Sequence, residues 1–170
     1  TALRFAQEWT YHSQERVIAA RSQFSFGLNA LNSTIHSGET PDSRFVAWLG
    51  QFQWVQLVSP WDVQLILRTD LQLTNDSLLP LEQMAVGGRY SVRGYRENQL
   101  VRDQGFTASL EARIPLVRDT WWAEYLQLAP FVDFGKAWNK DLHTPSIKSL
   151  ASVGLGLRWA TNLKVSQWTL

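Results

Sequence analysis

The sequence contains no cysteine among its 170 residues. Disulfide bonds and thiolate metal sites are therefore excluded. It also lacks any run of about 18 apolar residues, which excludes a transmembrane helix. No charged segment followed by an apolar one opens the chain, so we expect no signal peptide. The formal net charge is only +1, and without blocks of like charge it gives no argument for nucleic-acid binding.

The residue patterns that mark enzymes and metalloproteins are missing as well. The three histidines have no spacing suited to metal ligation. The glycines of the central segment are not followed by a helix, as a phosphate-binding loop requires. No Ser/His/Asp arrangement can be justified from sequence order. We therefore expect no catalytic residue, no metal, no cofactor and no small-molecule substrate.

Tryptophan, in contrast, is abundant, with nine residues, although the mean hydropathy is only −0.20. A helical membrane protein would be far more apolar, whereas a transmembrane β-barrel alternates lipid-facing and lumen-facing residues. Indole side chains prefer the depth of the lipid headgroups, so a barrel carries two aromatic belts. Six tryptophans lie near tight turns and two lie toward long loops: Trp9, Trp54, Trp61, Trp121, Trp122 and Trp159, then Trp48 and Trp138.

Seven segments alternate apolar and polar residues with the period of a β-strand. Their connections alternate short and long, as in an up-and-down meander. The polar positions hold Gln, Ser, Thr, Asn and Gly with almost no Lys, which suits an enclosed aqueous interior. The sequence thus predicts an all-β, antiparallel transmembrane barrel of about eight strands; a soluble β-sandwich that buries the tryptophans is the alternative. The segments are 3–12, 16–31, 44–57, 61–74, 104–116, 122–137 and 148–160, with an eighth beginning after Thr161-Asn162.

The longest segment without periodicity, residues 75–103, contains three glycines and three arginines between Gly87 and Asn98. A segment of this kind in a compact domain is usually functional. Glu111 and Asp133 share the polar parity of two adjacent strands, so both are expected to face the lumen. Arg93 could contact both carboxylates, because guanidinium offers a planar fork of donors and a confined charge is costly when unpaired. The alternative is that Arg93 is a solvated loop residue.

Three motifs and one strand carry a resemblance to a known family. They are Val92-Arg93-Gly94-Tyr95 with the following Arg96-Glu97-Asn98, then Ser109–Pro115, Phe131-Val132-Asp133-Phe134-Gly135 and Ser152–Trp159. Together they resemble the C-terminal barrel of TpsB-type two-partner secretion transporters, the haemolysin secretion/activation proteins, which are related to BamA barrel-assembly proteins. The resemblance covers about residues 80–160 strongly and the earlier strands only by their pattern.

The resemblance implies a domain organisation and a role for the central loop. That family has a sixteen-strand barrel preceded by POTRA domains, so residues 1–170 would form the C-terminal part of a barrel, without POTRA domains or the last strand. The 75–103 loop would fold into the lumen, with Arg93 contacting Asp133 and with Glu111 as a second acceptor. Val92, Gly94 and Tyr95 would complete the loop motif that anchors or gates, and Phe131 and Gly135 the strand motif that contacts it.

The resemblance also implies a function, namely export of a large secreted partner polypeptide through the bacterial outer membrane. The barrel would contact outer-membrane lipid and would bind no nucleic acid. An eight-strand barrel is filled by its own side chains, so a loop inside the lumen requires a larger barrel. A BamA-like assembly factor for other outer-membrane proteins is the alternative function.

Overall fold

The computed structural model of the chain describes residues 2–27, 45–121, 123–140 and 143–161. These residues form nine β-strands. Among them, no helical segment has the length and hydrophobicity needed to span a membrane. The strands are β1 (Ala2–His12), β2 (Arg16–Gly27), β3 (Val46–Val58), β4 (Val63–Thr74), β5 (Met84–Val86), β6 (Leu100–Arg102), β7 (Gln104–Arg118), β8 (Tyr125–Trp138) and β9 (Ser149–Ala160).

The seven long strands form one antiparallel sheet in the order β1-β2-β3-β4-β7-β8-β9. Each long strand therefore pairs with the next long strand along the chain, which confirms the predicted meander. Within the described residues the sheet does not close, because β1 and β9 each have only one neighbour. The eighth long strand that was predicted after Thr161 lies outside the described residues.

One face of the sheet is polar and hydrogen-bonded across the strands. A row of residues from five successive strands lies in register: Glu8, Arg21, Gln51, Asp70 and Thr107. Arg21 lies 3.5 Å from the Glu8 carboxylate. Gln51 donates to Asp70 at 2.9 Å, and the Thr107 hydroxyl donates to the same carboxylate at 3.2 Å. The alternation in the sequence thus produces a continuous polar wall.

The opposite face is apolar and exposed. Even on the inner strands, Leu110 of β7 is 44% exposed and Val132 of β8 is 49% exposed. Within the described part of the chain, the only second sheet is the short β5–β6 hairpin, so no sheet buries this surface. The β-sandwich alternative is therefore wrong. A broad apolar face on an antiparallel sheet with a polar opposite face has the arrangement of a barrel wall.

Two strands begin slightly later along the chain than the periodicity predicted. β4 begins at Val63 instead of residue 61, and β8 begins at Tyr125 instead of residue 122. The preceding turns contain Asp62 and Asp119 in the left-handed region, with φ of 53° and 50°, a conformation that aspartate tolerates better than most residues. Two tryptophans lie in these turns and are largely exposed, Trp61 at 73% and Trp121 at 96%; Trp122 lies outside the described residues.

The central loop is more ordered than its lack of periodicity indicated, because β5 and β6 pair as a hairpin within it. Three-residue strands are too short to produce a recognisable period in the sequence. A buried apolar cluster joins this loop to the polar face of the sheet: Val86, Val92 and Leu100 from the loop with Ala137 of β8 and Leu150 of β9. A tightly packed core therefore lies between the loop and the wall.

Candidate functional site

Arg93 contacts Asp133 of β8 through its backbone and its side chain. The backbone N–H donates to Oδ2 at 3.0 Å, Nε donates to Oδ2 at 2.8 Å, and Nη2 donates to Oδ1 at 2.8 Å. The Asp133 side chain is completely buried, and that of Arg93 is 25% exposed. Two parallel N–H···O bonds between a guanidinium and a carboxylate make a charge-assisted, geometrically specific pair.

A second carboxylate completes the charge balance around Arg93. Its Nη1 donates to Glu111 Oε2 at 2.6 Å, while Glu111 Oε1 accepts from Arg113 Nε at 2.9 Å. The Ser109 hydroxyl donates to Asp133 at 2.8 Å and accepts from Arg93 Nη2 at 3.2 Å. Two arginines thus face two carboxylates, so the buried network is neutral as a whole, which limits the cost of burial.

The guanidinium also stacks on an aromatic ring. Its central carbon lies 3.5 Å from the centroid of the Phe131 ring, a cation–π arrangement that fixes the plane of the fork. The hydrogen bond to Asp133 is the main cause that raises the pKa of Arg93, and burial opposes it. A raised pKa on a cation adds stability at every pH below its unfolded value, and that stability is lost only as the pH rises through the folded pKa. The charge of Arg93, and with it the contact to Asp133, therefore does not change with pH near neutrality.

Glycines shape the backbone that presents Arg93. Gly87, Gly88 and Gly94 have φ of 114°, 98° and 88°, a region that residues with a side chain rarely adopt. The N–H of Gly88 donates to the Val92 carbonyl at 3.2 Å, which closes a tight turn before Arg93. The Glu97 carboxylate occupies the space where a side chain at Gly88 would stand. The loop tip is thus a compact unit.

The residues around Arg93 connect the loop to the wall. Val92 is fully buried in the apolar cluster, and a side chain at Gly135 would collide with Val86 and with Val92 Cγ2, the latter at 2.8 Å. Because Gly135 has no side chain, it leaves a space on the sheet surface that Val86 and Val92 fill. We call this space the socket. The Tyr95 hydroxyl donates to the Ala151 carbonyl at 3.0 Å. The loop thus touches β7, β8 and β9.

The structure brings together most of the residues that the sequence singled out. Arg93, Glu111, Asp133 and Phe131 form one contacting group, and Val92 and Gly135 meet in the adjoining cluster. Tyr95 reaches β9 separately, and Gly94 contributes a backbone conformation, with no atom within 4 Å of the position of a Cβ. Their part in anchoring or gating the loop stays a prediction.

Sequence reasoning did not assign contacts to three participants: Ser109, Arg113 and Val86. Ser109 and Arg113 share the inward parity of β7 with Glu111, so the strand pattern already placed them on the polar face. That pattern cannot show which of them touch the loop. Val86 lies in the short strand β5, where no period is readable, so no sequence pattern indicated its contact with the wall.

Comparisons with known proteins agree with this architecture. The family model of the haemolysin secretion/activation proteins ShlB/FhaC/HecB matches residues 1–159. The solved structure of CdiB from Acinetobacter baumannii has a similar fold, with a TM-score of 0.69 and 21% sequence identity. The similarity covers 94% of this chain and 27% of that chain, so the sequence spans about a quarter of that protein's length. No curated protein matches the sequence.

Proposed function

The chain belongs to the haemolysin secretion/activation protein family, and from that premise we propose that it exports a large partner polypeptide in two-partner secretion. The family is one of outer-membrane β-barrel protein transporters. In the proposed mechanism the partner passes through the barrel in an unfolded state, along the polar wall. The loop at 75–103 lies in the lumen, where it shapes or gates the passage.

The composition of the polar wall supports passage of a polypeptide. Its side chains satisfy one another across the strands, as in the row from Glu8 through Gln51 to Thr107. A moving chain meets many weak, exchangeable contacts on such a surface. Conduction requires binding that is weak enough for release, so a polar wall whose side chains are already paired with one another suits export.

The openness of the sheet supports a larger barrel than these strands could make alone. Within the described residues, seven long strands form a sheet whose edges β1 and β9 do not pair with each other, and the chain spans 27% of the CdiB chain. A closed barrel of eight strands has an interior just filled by side chains. We therefore place the chain in a larger barrel, with a lumen wide enough for the loop.

The observation that carries the loop's proposed role is the contact of Arg93 with two strands of the wall. All three of its guanidinium nitrogens are used, two on Asp133 and one on Glu111. Breaking a buried ion pair by removing one partner costs about 3–5 kcal/mol. A loop tip held so strongly stays in the lumen unless these bonds are broken together.

Substitution of Arg93 tests this role in the complete transporter expressed with its partner polypeptide. We expect Arg93→Ala to lower the amount of secreted partner by at least about tenfold, because the buried Asp133 loses its counter-charge and Glu111 keeps only that of Arg113. Arg93→Lys should give an intermediate result, since ammonium cannot form the planar fork. Arg89→Ala is the matched control: it removes the same charge from the same loop, and Arg89 is exposed.

Each outcome of this experiment decides between functions. Folded barrel in the outer membrane, measured by its heat-modifiable migration, should be equal in all variants. Normal secretion by Arg93→Ala would remove the gating role. A general loss of other outer-membrane proteins, with partner export unchanged, would instead identify a BamA-like assembly factor.

A further inference from the structure

A second polar centre lies at the root of the central loop, where β6 meets β7. Asp103 is only 1% exposed. Its Oδ1 accepts from the backbone N–H of Leu78 at 3.0 Å and from Gln83 Nε2 at 2.8 Å. Its Oδ2 accepts from the backbone N–H of Lys140 at 3.0 Å. A single carboxylate thus gathers three donors.

These donors come from distant parts of the chain. Leu78 lies near the start of the central loop, Gln83 immediately precedes β5, and Lys140 belongs to the loop that follows β8. The backbone carbonyl of Asp103 accepts a further bond, from Gln72 of β4 at 3.1 Å. Asp103 therefore ties both ends of the central loop to each other, to the neighbouring loop and to the wall.

The charge of Asp103 is stabilised by N–H groups rather than by a cation. No Lys or Arg side chain in the described part of the chain forms an ion pair with it. A buried carboxylate is tolerated only where enough donors are held in place around it. Two of these donors, Leu78 and Gln83, belong to the central loop. The Asp103 carboxylate therefore keeps all of its hydrogen bonds only while the loop holds this orientation relative to the sheet.

From this geometry we infer that Asp103 is a positioning residue that directs the central loop into the lumen, independently of Arg93. The inference rests on the proposed function, in which the loop shapes the export path. The two residues share no partner: Arg93 binds side chains of β7 and β8, whereas Asp103 binds loop backbone and Gln83. Contributions without shared partners are additive in free energy, so their effects on loop release should multiply.

Chemical labelling of the loop in the complete transporter tests this inference. Residues 1–170 contain no cysteine, and any cysteine elsewhere in the complete transporter is first replaced by serine. A cysteine at Val86, which is 0% exposed, then reports loop release as the single thiol. Intact cells are treated with a membrane-impermeant maleimide, and the labelling rate of Val86→Cys is compared with and without Asp103→Ala or Asp103→Asn. Asp76→Ala is the matched control, since it removes the same charge from the same loop and the hydrogen bonds between Asp76 and Thr74 are made by the Asp76 backbone.

We expect Asp103→Ala to raise the labelling rate by about tenfold or more, because three donors lose their acceptor. Asp103→Asn should raise it less, since the amide oxygen still serves Leu78 and Gln83 while the amide nitrogen faces the Lys140 N–H. In the double variant with Arg93→Ala and Asp103→Ala, the labelling rate should rise by the product of the factors found for the two single variants. A second reporter, Ala129→Cys on β8, is 4% exposed and should stay unlabelled, with the heat resistance of the barrel retained.

Two results would overturn the inference. One is an Asp103→Ala labelling rate equal to that of Asp76→Ala. The other is equal acceleration at Ala129→Cys, which would show that the whole barrel has loosened. Labelling follows loop position and not export. Failure of the labelling prediction therefore leaves the export proposal standing, and lack of export with the expected labelling contradicts only that proposal.

Discussion

At the scale of the residue, the site depends on features that only one amino acid supplies. The fork of Arg93 places two nitrogens on Asp133 and one on Glu111, with the ring of Phe131 stacked on the same plane. Lysine is a point charge without a plane, so it can neither bridge both carboxylates in this way nor stack. Gly135 is equally specific for the opposite reason, because the loop requires the absence of a side chain there.

We predict that Gly135→Ala weakens the docking of the loop on the wall. Its methyl group would overlap Val86 and Val92, which are β-branched and cannot rotate freely out of the way. Overpacking of this kind costs about 1–3 kcal/mol. Labelling of a buried loop cysteine at Leu100 should be faster in this variant. A second change, Val86→Ala, should slow the labelling again in part, because it removes the closer of the two overlaps.

Gly156→Ala provides the control for this prediction. Gly156 also lies on the polar face, but a Cβ there would meet Ala129 at 3.4 to 3.5 Å, an ordinary contact. The cysteine at Leu100 should therefore be labelled as slowly in Gly156→Ala as in the protein that keeps Gly156. Equal behaviour of the Gly135 and Gly156 variants would show that the socket has no role in holding the loop.

At the scale of the element, each long strand carries two environments on its two faces. In β3, Phe52 belongs to the apolar face and is 38% exposed, while the adjacent Gln53 belongs to the polar face, opposite Arg68 of β4. Because successive side chains alternate, a single position along the strand decides between lipid and lumen. The two residues form a matched pair for testing the orientation of the wall.

We predict that Phe52→Arg is far more damaging than Gln53→Arg. An arginine on the lipid face costs about 2–4 kcal/mol at the bilayer midplane. An arginine at Gln53 faces the aqueous lumen, where its cost is limited to the screened repulsion from Arg68 opposite it. The fraction of heat-modifiable, folded protein in outer-membrane preparations measures the difference. If the two variants fold equally well, the apolar face does not contact lipid.

At the scale of the whole molecule, the described strands form an open sheet and not a closed barrel. β1 and β9 each leave one edge without a neighbour in the described part of the chain. Free edges present unpaired N–H and C=O groups, which in a bilayer must be satisfied by another strand. Pairing of both edges with further strands would satisfy these groups, in agreement with the proposal of a larger barrel.

This chain expressed alone should consequently associate through its edges. We expect residues 1–170, refolded in detergent, to form oligomers or aggregates by light scattering, whereas the complete protein is expected to be monodisperse in the same detergent. The reason is that edge strands pair with whatever strand is available. A monomeric, heat-resistant barrel made from this chain alone would contradict the open sheet.

The periodic parts of the fold could be predicted from the sequence. Alternation over 11 to 15 residues in strands such as β1 and β7 records which face of the wall each side chain takes, because the strand period is two. The prediction of an antiparallel up-and-down barrel wall was confirmed, and so was the resemblance to the haemolysin secretion/activation family. The same parity placed Glu111 and Asp133 on one face, within reach of a single guanidinium.

The contacts of the central loop were decided by the tertiary structure. Neither the β5–β6 hairpin nor the contacts of Asp103 have a local signature. The paired residues of the hairpin lie 14 to 18 positions apart, and the donors to the Asp103 carboxylate lie 20 to 37 positions away along the chain. The sequence by itself determined the two faces of the wall, since alternation is a local property that each strand repeats. Only the folded chain decided where the loop docks, because long-range hydrogen bonds and the fit of Val86 and Val92 at Gly135 exist only after the strands have paired.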